Sequence, residues 1–120
     1  MTFELDHFIV FVAGPERARS ALVERGLEVG HEGSQPGTGC GHTVFFFDNT
    51  YLELVWSEPG KVPFADAPRM HATDRLTSSQ WCPLGISFRP IGSDRALPLQ
   101  TWDYAAPFLP DGATSGRNSR

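Results

Sequence analysis

The stretch Gly41 to Trp56, GHTVFFFDNTYLELVW, decides the fold of this chain. Two runs rich in β-branched and aromatic residues flank Asp48-Asn49, a dipeptide that tolerates the positive φ angles of a tight hairpin turn. Because directly opposed residues point to the same side of a sheet, a two-residue turn gives this hairpin two distinct faces. One face is almost wholly apolar: Thr43, Phe45, Phe47, Leu52, Leu54 and Trp56. The other face places an imidazole and a carboxylate among aromatic side chains: His42, Val44, Phe46, Tyr51, Glu53 and Val55.

The composition describes one soluble globular domain of 120 residues, with a hydrophobic fraction of 40% and a charged fraction of 20%. The net charge of −4 and the absence of a Lys or Arg cluster argue against nucleic acid or an anionic membrane as the partner. No run is long enough to span a membrane, and the start lacks the pattern of a signal peptide. Cys40 and Cys82 are too few for a disulfide framework or a CxxC metal site, so we expect reduced thiols and a cytoplasmic protein.

The remaining N-terminal residues predict one strand, one helix and a second strand. Residues 3–12 read as a buried strand, and Gly14-Pro15 ends it and begins a short helix that Gly26 terminates. Residues 27–33 alternate weakly and predict an edge strand, followed by a loop rich in Gly and Pro. Together with the hairpin, the order is β-α-β-β-β over residues 3–57.

Residues 58–120 predict less regular structure. A helix over residues 64–76 is weakened by Pro68, and a strand over residues 84–89 is expected to end at Pro90. Beyond it we expect loops fixed to the sheet by aromatic side chains, namely Trp102, Tyr104 and Phe108. The predicted division is a domain over 1–90, a packed extension over 91–112 and a mobile tail over 113–120.

Four segments together carry a family resemblance: LDHFIVFV, ERGLEV, PGTGCG and FFFDNTYLELVW. They resemble a glyoxalase-like domain of the vicinal oxygen chelate superfamily. The resemblance implies an α+β fold, a βαβββ module whose curved mixed sheet carries a C-terminal extension of a weak helix, one strand and aromatic-anchored loops. It also implies a cup made of two modules. Since residues 58–120 do not supply a second one, either a partner protomer in a homodimer or the C-terminal loops would close the cup.

In metal-dependent relatives, a His in the first strand and a Glu in the last strand of a module each supply one metal ligand. The resemblance places these roles on His7 and Glu53, a mixed donor set that suits Fe, Mn, Zn, Ni or Co. The competing interpretation is that Glu53 is simply hydrogen-bonded or protonated and that His7 is a core histidine. His42 lies one diagonal step from Glu53, so it is either a third ligand or a residue that lines the pocket.

Three further residues near this face have alternative roles. Strand alternation points Asp6 away from His7, which disfavours a direct role in orienting that imidazole. Tyr51 is either a proton donor or a packing residue at the rim. Cys40 would be a nucleophile only with His42 as its base, and a packing role is favoured.

The sequence therefore supports two functions of different classes. The first is a metal-dependent isomerase, lyase or dioxygenase that acts on a small oxygen-bearing metabolite, with Glu53 as ligand or as catalytic base. The second is a metal-free protein that binds a drug or metabolite, as bleomycin-resistance proteins do, on a face formed by Phe46, Tyr51 and Val55. In either case the expected partners are a small molecule and a second copy of the chain, without nucleic acid or membrane. A truncated relative without activity is the third interpretation.

Overall fold

The fold contains two helices and seven strands within the described residues of a computed structural model, which are 2–61, 70–92, 100–104, 107, 109 and 115–118. In chain order the elements are β1 (Thr2–Phe11), α1 (Pro15–Val23), β2 (His31–Gln35), β3 (Cys40–Phe46), β4 (Tyr51–Ser57), α2 (Asp74–Thr77), β5 (Leu84–Ile91), β6 (Thr101–Tyr104) and β7 (Ser115–Asn118).

Strands β1 to β5 form one mixed, curved sheet in the order β2-β3-β4-β1-β5. Strands β1 and β4 pair in parallel, and the other neighbouring pairs are antiparallel. The parallel pair is possible because α1, β2 and β3 intervene in the chain and allow the required crossover. The α+β class and the βαβββ order predicted from the sequence are confirmed.

The β3–β4 hairpin has the predicted register. Phe46 lies opposite Tyr51, and Val44 lies opposite Glu53. The Phe47 N–H donates to the Thr50 carbonyl at 2.9 Å, which closes the turn around Asp48-Asn49. Among the described residues other than glycine, only His71 has a positive φ, so the turn forms without the left-handed geometry that its sequence tolerates.

The two faces of the sheet differ in what covers them. Helix α1 packs against β4, on the side where Phe45 is 1% exposed and Thr43 is fully buried. On the opposite side, Ile9, Phe11 and Val55 form a buried apolar cluster, against which Cys40, Met70, Ala72 and Leu76 pack. This second side also carries Glu53. The polar residues of the hairpin therefore lie beside the apolar cluster of Ile9, Phe11 and Val55.

Strand β2 begins later than the sequence predicts. The chain leaves α1 through a Schellman motif, in which the Leu27 N–H donates to the Leu22 carbonyl at 3.2 Å and Gly26 has a φ of 94°. Because Leu27 is engaged in the helix end, pairing with β3 starts only at Gly30, whose N–H donates to the Val44 carbonyl at 2.8 Å. Strand β2 then extends to Gln35, into the predicted loop, and lies at the edge of the sheet as expected.

The C-terminal half departs further from the prediction. Pro90 does not end β5 but pairs opposite Phe3, because β5 is an edge strand and its missing N–H faces no neighbour in the sheet. Strands β6 and β7 pair with each other where loop and tail were expected. Residues 64–69 of the predicted helix, and the anchor Phe108, lie outside the described residues. In the rest of the predicted range, helix α2 begins only at Asp74. The division at 90 and 112 stays a prediction.

Phe45 provides a test of the helix-covered side of the sheet. We expect Phe45→Ala to lower the free energy of unfolding by about 3–5 kcal/mol, because it removes a ring from a site with 1% exposure. Phe47→Ala is the matched control, since Phe47 is 51% exposed, and its cost should stay below about 1 kcal/mol. Denaturant unfolding measures both, and equal losses would contradict this placement of the core.

Candidate functional site

A cleft of about 720 Å³ opens on the Glu53 side of the sheet. Strands β1 and β4 form its floor through His7, Ile9, Tyr51 and Glu53, and residues 70–74 and Tyr104 form part of its wall. The floor residues face the same side because β1 and β4 pair in register, with His7 beside Tyr51 and Ile9 beside Glu53. The hairpin and β1 therefore bring the two predicted metal ligands into one cleft.

Glu53 is 7% exposed, and one of its two oxygens is fully engaged. His42 Nδ1 lies 2.7 Å from Oε1, and Gln35 Nε2 donates to the same oxygen at 2.8 Å. An ionised carboxylate only accepts, so when Glu53 is ionised His42 donates to it from Nδ1, and the 3.2 Å approach of Nδ1 to Gln35 Nε2 is then a contact between two donors. These two donors compensate the burial of the carboxylate and fix its orientation.

The imidazole of His7 is held by a contact at its Nδ1 atom. Its ring stacks on Tyr51 with centroids 4.2 Å apart, and its Nδ1 lies 2.6 Å from Asp6 Oδ2. The expectation that Asp6 points away from His7 was wrong. The pairing of β1 with β5 shifts register between Leu5 and His7, and this bulge breaks the alternation that the expectation assumed.

The free ends of these two groups face each other. His7 Nε2 lies 3.6 Å from Glu53 Oε2, which is too long for a hydrogen bond. Ligand atoms that share one ion at bond lengths of about 2.1 Å lie about 3.0–3.5 Å apart. The observed separation is just beyond this range, so a small movement of either side chain would bring both atoms onto one ion. In the described part of the chain, no group of three or more His, Cys, Asp and Glu side chains is arranged to hold a metal ion.

The model of the family called glyoxalase-like domain matches residues 5–96, which is more than half of the chain. The chain belongs to the glyoxalase-like domain family. No curated protein and no solved structure matches it. None of the helices among the described residues is long and apolar enough to cross a membrane.

The residues predicted to bind a ligand in this glyoxalase-like domain separate into two groups. Tyr51 and Val55 line the cleft, and their role in ligand binding stays a prediction. Phe46 shares their face by register, but its ring lies at the end of β3, tilted against Tyr51 and so close to Gly30 that a Cβ there would not fit. Phe46 is 63% exposed and does not line the cleft.

His42 joins the site in a different way from the one that a third ligand requires. Its Nδ1 hydrogen-bonds Glu53, so in this arrangement it orients the carboxylate. The role of third metal ligand stays a prediction.

Sequence reasoning missed several cleft residues of this domain. Gln35 sits at the end of β2, and nothing in the sequence marked it beyond its alternation with His31. His71 also lines the cleft, with Nδ1 2.8 Å from Asp74 Oδ2 and its ring stacked 3.8 Å from that of Trp81. A His followed three residues later by an Asp was the available signal.

Cys40 lies in the cleft wall but is poorly suited to nucleophilic chemistry. Burial raises the pKa of its thiol, an effect that a hydrogen bond with Thr38 opposes and that Glu58 and Glu53 reinforce. Little thiolate is therefore present at neutral pH.

The two cysteines should differ in reactivity with a small disulfide reagent. We expect Cys40, studied alone in the variant Cys82→Ser, to react slowly at neutral pH. Its reaction rate should rise only when the pH exceeds the ordinary pKa of a thiol. The exposed Cys82, isolated in Cys40→Ser, should react faster at neutral pH. Absorbance of the released thiol measures both rates, and a Cys40 that reacts as fast as Cys82 at pH 7 would contradict the assignment.

Proposed function

We propose that this domain binds a small oxygen-bearing molecule in the cleft and that His7 and Glu53 hold a divalent metal ion at its floor. The observation that carries the proposal is the pair His7 Nε2 and Glu53 Oε2, 3.6 Å apart and not hydrogen-bonded to each other. Their opposite ends are held by Asp6 and by His42 with Gln35. Two donor atoms held close together by hydrogen bonds at the opposite ends of their side chains are a typical arrangement for metal ligands.

One imidazole nitrogen and one carboxylate oxygen suit Fe, Mn, Zn, Ni or Co. When bound, such an ion polarises substrate oxygens, which is the chemistry that isomerases, lyases and dioxygenases require. The side chains of this domain supply the rest. His42 and Gln35 keep the carboxylate in place, and Ile9, Phe11 and Val55 give the bound molecule an apolar surface that excludes water. In the alternative catalytic role, Glu53 Oε2 is the atom that accepts a proton.

The homodimer expected from the family resemblance belongs to the same proposal, because a second copy can contribute to ion positions that His7 and Glu53 leave open. Light scattering of the metal-loaded protein measures this, and a strict monomer would contradict the shared site. The cytoplasmic location stays a prediction.

A metal-free binding function is the second candidate. The cleft combines the stacked His7 and Tyr51 rings with the buried Tyr104 and with the apolar cluster described above. These surfaces accept a planar ligand without any ion. Metal binding distinguishes the two candidates.

Metal titration of chelator-treated protein tests the proposal. We expect one ion per cleft, observed by calorimetry, and a stabilisation of about 2.7 kcal/mol when the free metal is at 100 times its Kd. His7→Ala and Glu53→Gln should each abolish both signals, because each removes one of the two ligand atoms.

His71→Ala is the matched control, since His71 also lines the cleft and is also held by an Asp. It should bind metal as the wild type does. Loss of binding in His71→Ala equal to that in His7→Ala, or no binding by any of the five metals, would contradict the metal proposal and favour the metal-free function.

A further inference from the structure

Asp6 lies at the one irregularity in the pairing between β1 and β5. Leu5 pairs opposite Phe88 and His7 pairs opposite Ser87, so Asp6 between them has no partner residue on β5. A bulge of this kind changes the direction of side chains that regular alternation would place on opposite faces. The carboxylate of Asp6 consequently reaches the imidazole of the next residue.

Asp6 is held from three directions at this position. Its Oδ2 lies 2.6 Å from His7 Nδ1, a short, charge-assisted contact. Its Oδ1 accepts a hydrogen bond at 3.3 Å from Nη1 of Arg89, which lies on the neighbouring strand β5. Its backbone carbonyl accepts from the Thr50 hydroxyl at 2.8 Å, which connects the bulge to the turn of the hairpin.

We propose that Asp6 is a positioning residue that fixes the tautomer of His7. A carboxylate at Nδ1 requires the proton there, so the neutral ring keeps its lone pair at Nε2, the atom that lies 3.6 Å from Glu53 Oε2. The metal ligand role of His7 rests on the proposed function, but the tautomer does not, because it follows from contacts within the metal-free protein.

A purely structural role for Asp6 would need only its ion pair with Arg89. That pair is at the surface, where Arg89 also hydrogen-bonds Glu4, and surface pairs contribute little to stability. The contact with His7 is shorter and more buried than the contact with Arg89. The geometry therefore favours the imidazole as the group that Asp6 acts on.

Asp6→Asn separates the two roles without a change in size. Arg89 can only donate, so it selects the amide oxygen of the new side chain and turns the amide nitrogen toward His7 Nδ1. An amide N–H at Nδ1 requires a lone pair there, and the ring must carry its proton at Nε2 instead. We expect the tautomer of His7 to reverse in this variant.

Long-range proton–nitrogen correlation spectra of isotope-labelled, metal-free protein at mildly alkaline pH measure the tautomer directly. The wild type should show His7 protonated at Nδ1 alone, and Asp6→Asn should show it protonated at Nε2. Asp74→Asn is the matched control, because the same change at the other Asp–His pair alters His71 and should leave His7 unchanged.

The result that overturns the proposal is a wild-type His7 protonated at Nε2 or at both nitrogens, or a tautomer that Asp6→Asn does not change. A metal titration forms the second arm, in which Asp6→Asn should weaken binding by about 10–100-fold relative to the wild type. A wild type that binds no metal but shows the predicted tautomers contradicts the proposed function and leaves the role of Asp6 intact.

Discussion

The buried carboxylate of Glu53 is the constraint on which the rest of the site depends. A carboxylate that is 7% exposed is costly in free energy unless donors compensate it, and this fold supplies two, from β3 and from the end of β2. Both donors go to one oxygen. The second oxygen is thereby left facing the neighbouring β1 strand, where His7 presents its Nε2. The hydrogen bonds that make the burial tolerable also determine which atom remains for a ligand.

The parallel pairing of β1 with β4 makes this arrangement possible. It places His7 opposite Tyr51, two residue pairs from Glu53 on the same side of the sheet, and it stacks His7 on Tyr51. His7 and Glu53 are far apart in sequence, so the site exists only when the crossover through α1, β2 and β3 is complete. The site therefore forms only when the strands of the sheet pair, and such pairing joins residues that are far apart in the chain.

Some parts of this structure follow from the sequence by local rules. The register of the hairpin follows from the turn at Asp48-Asn49 and the alternation on either side, and that register alone predicts that His42 and Glu53 are neighbours. The pairing of His7 with Glu53 came from family resemblance, since nothing local determines which strands lie side by side.

Other parts do not follow from local rules. The bulge at Asp6 depends on pairing with β5, a strand about eighty residues away in the chain, so alternation gave the wrong direction. Gln35 entered the site because β2 starts late and ends late, a shift imposed by the helix end at Leu27. The β6–β7 pair joins Thr101–Tyr104, which lies where an aromatic-anchored loop was expected, to Ser115–Asn118, whose composition is typical of loops. The bulge and the β6–β7 pair both arise where a contact between distant segments overrides a local preference.

The most direct test of a metal site at His7 and Glu53 is the position of a metal ion in crystals of the loaded protein, located by its anomalous scattering. We expect a single strong peak in the cleft, within bonding distance of both His7 Nε2 and Glu53 Oε2, with Asp6 still in contact with His7 Nδ1. A peak bound to other side chains, or a cleft without a peak at saturating metal, would contradict it.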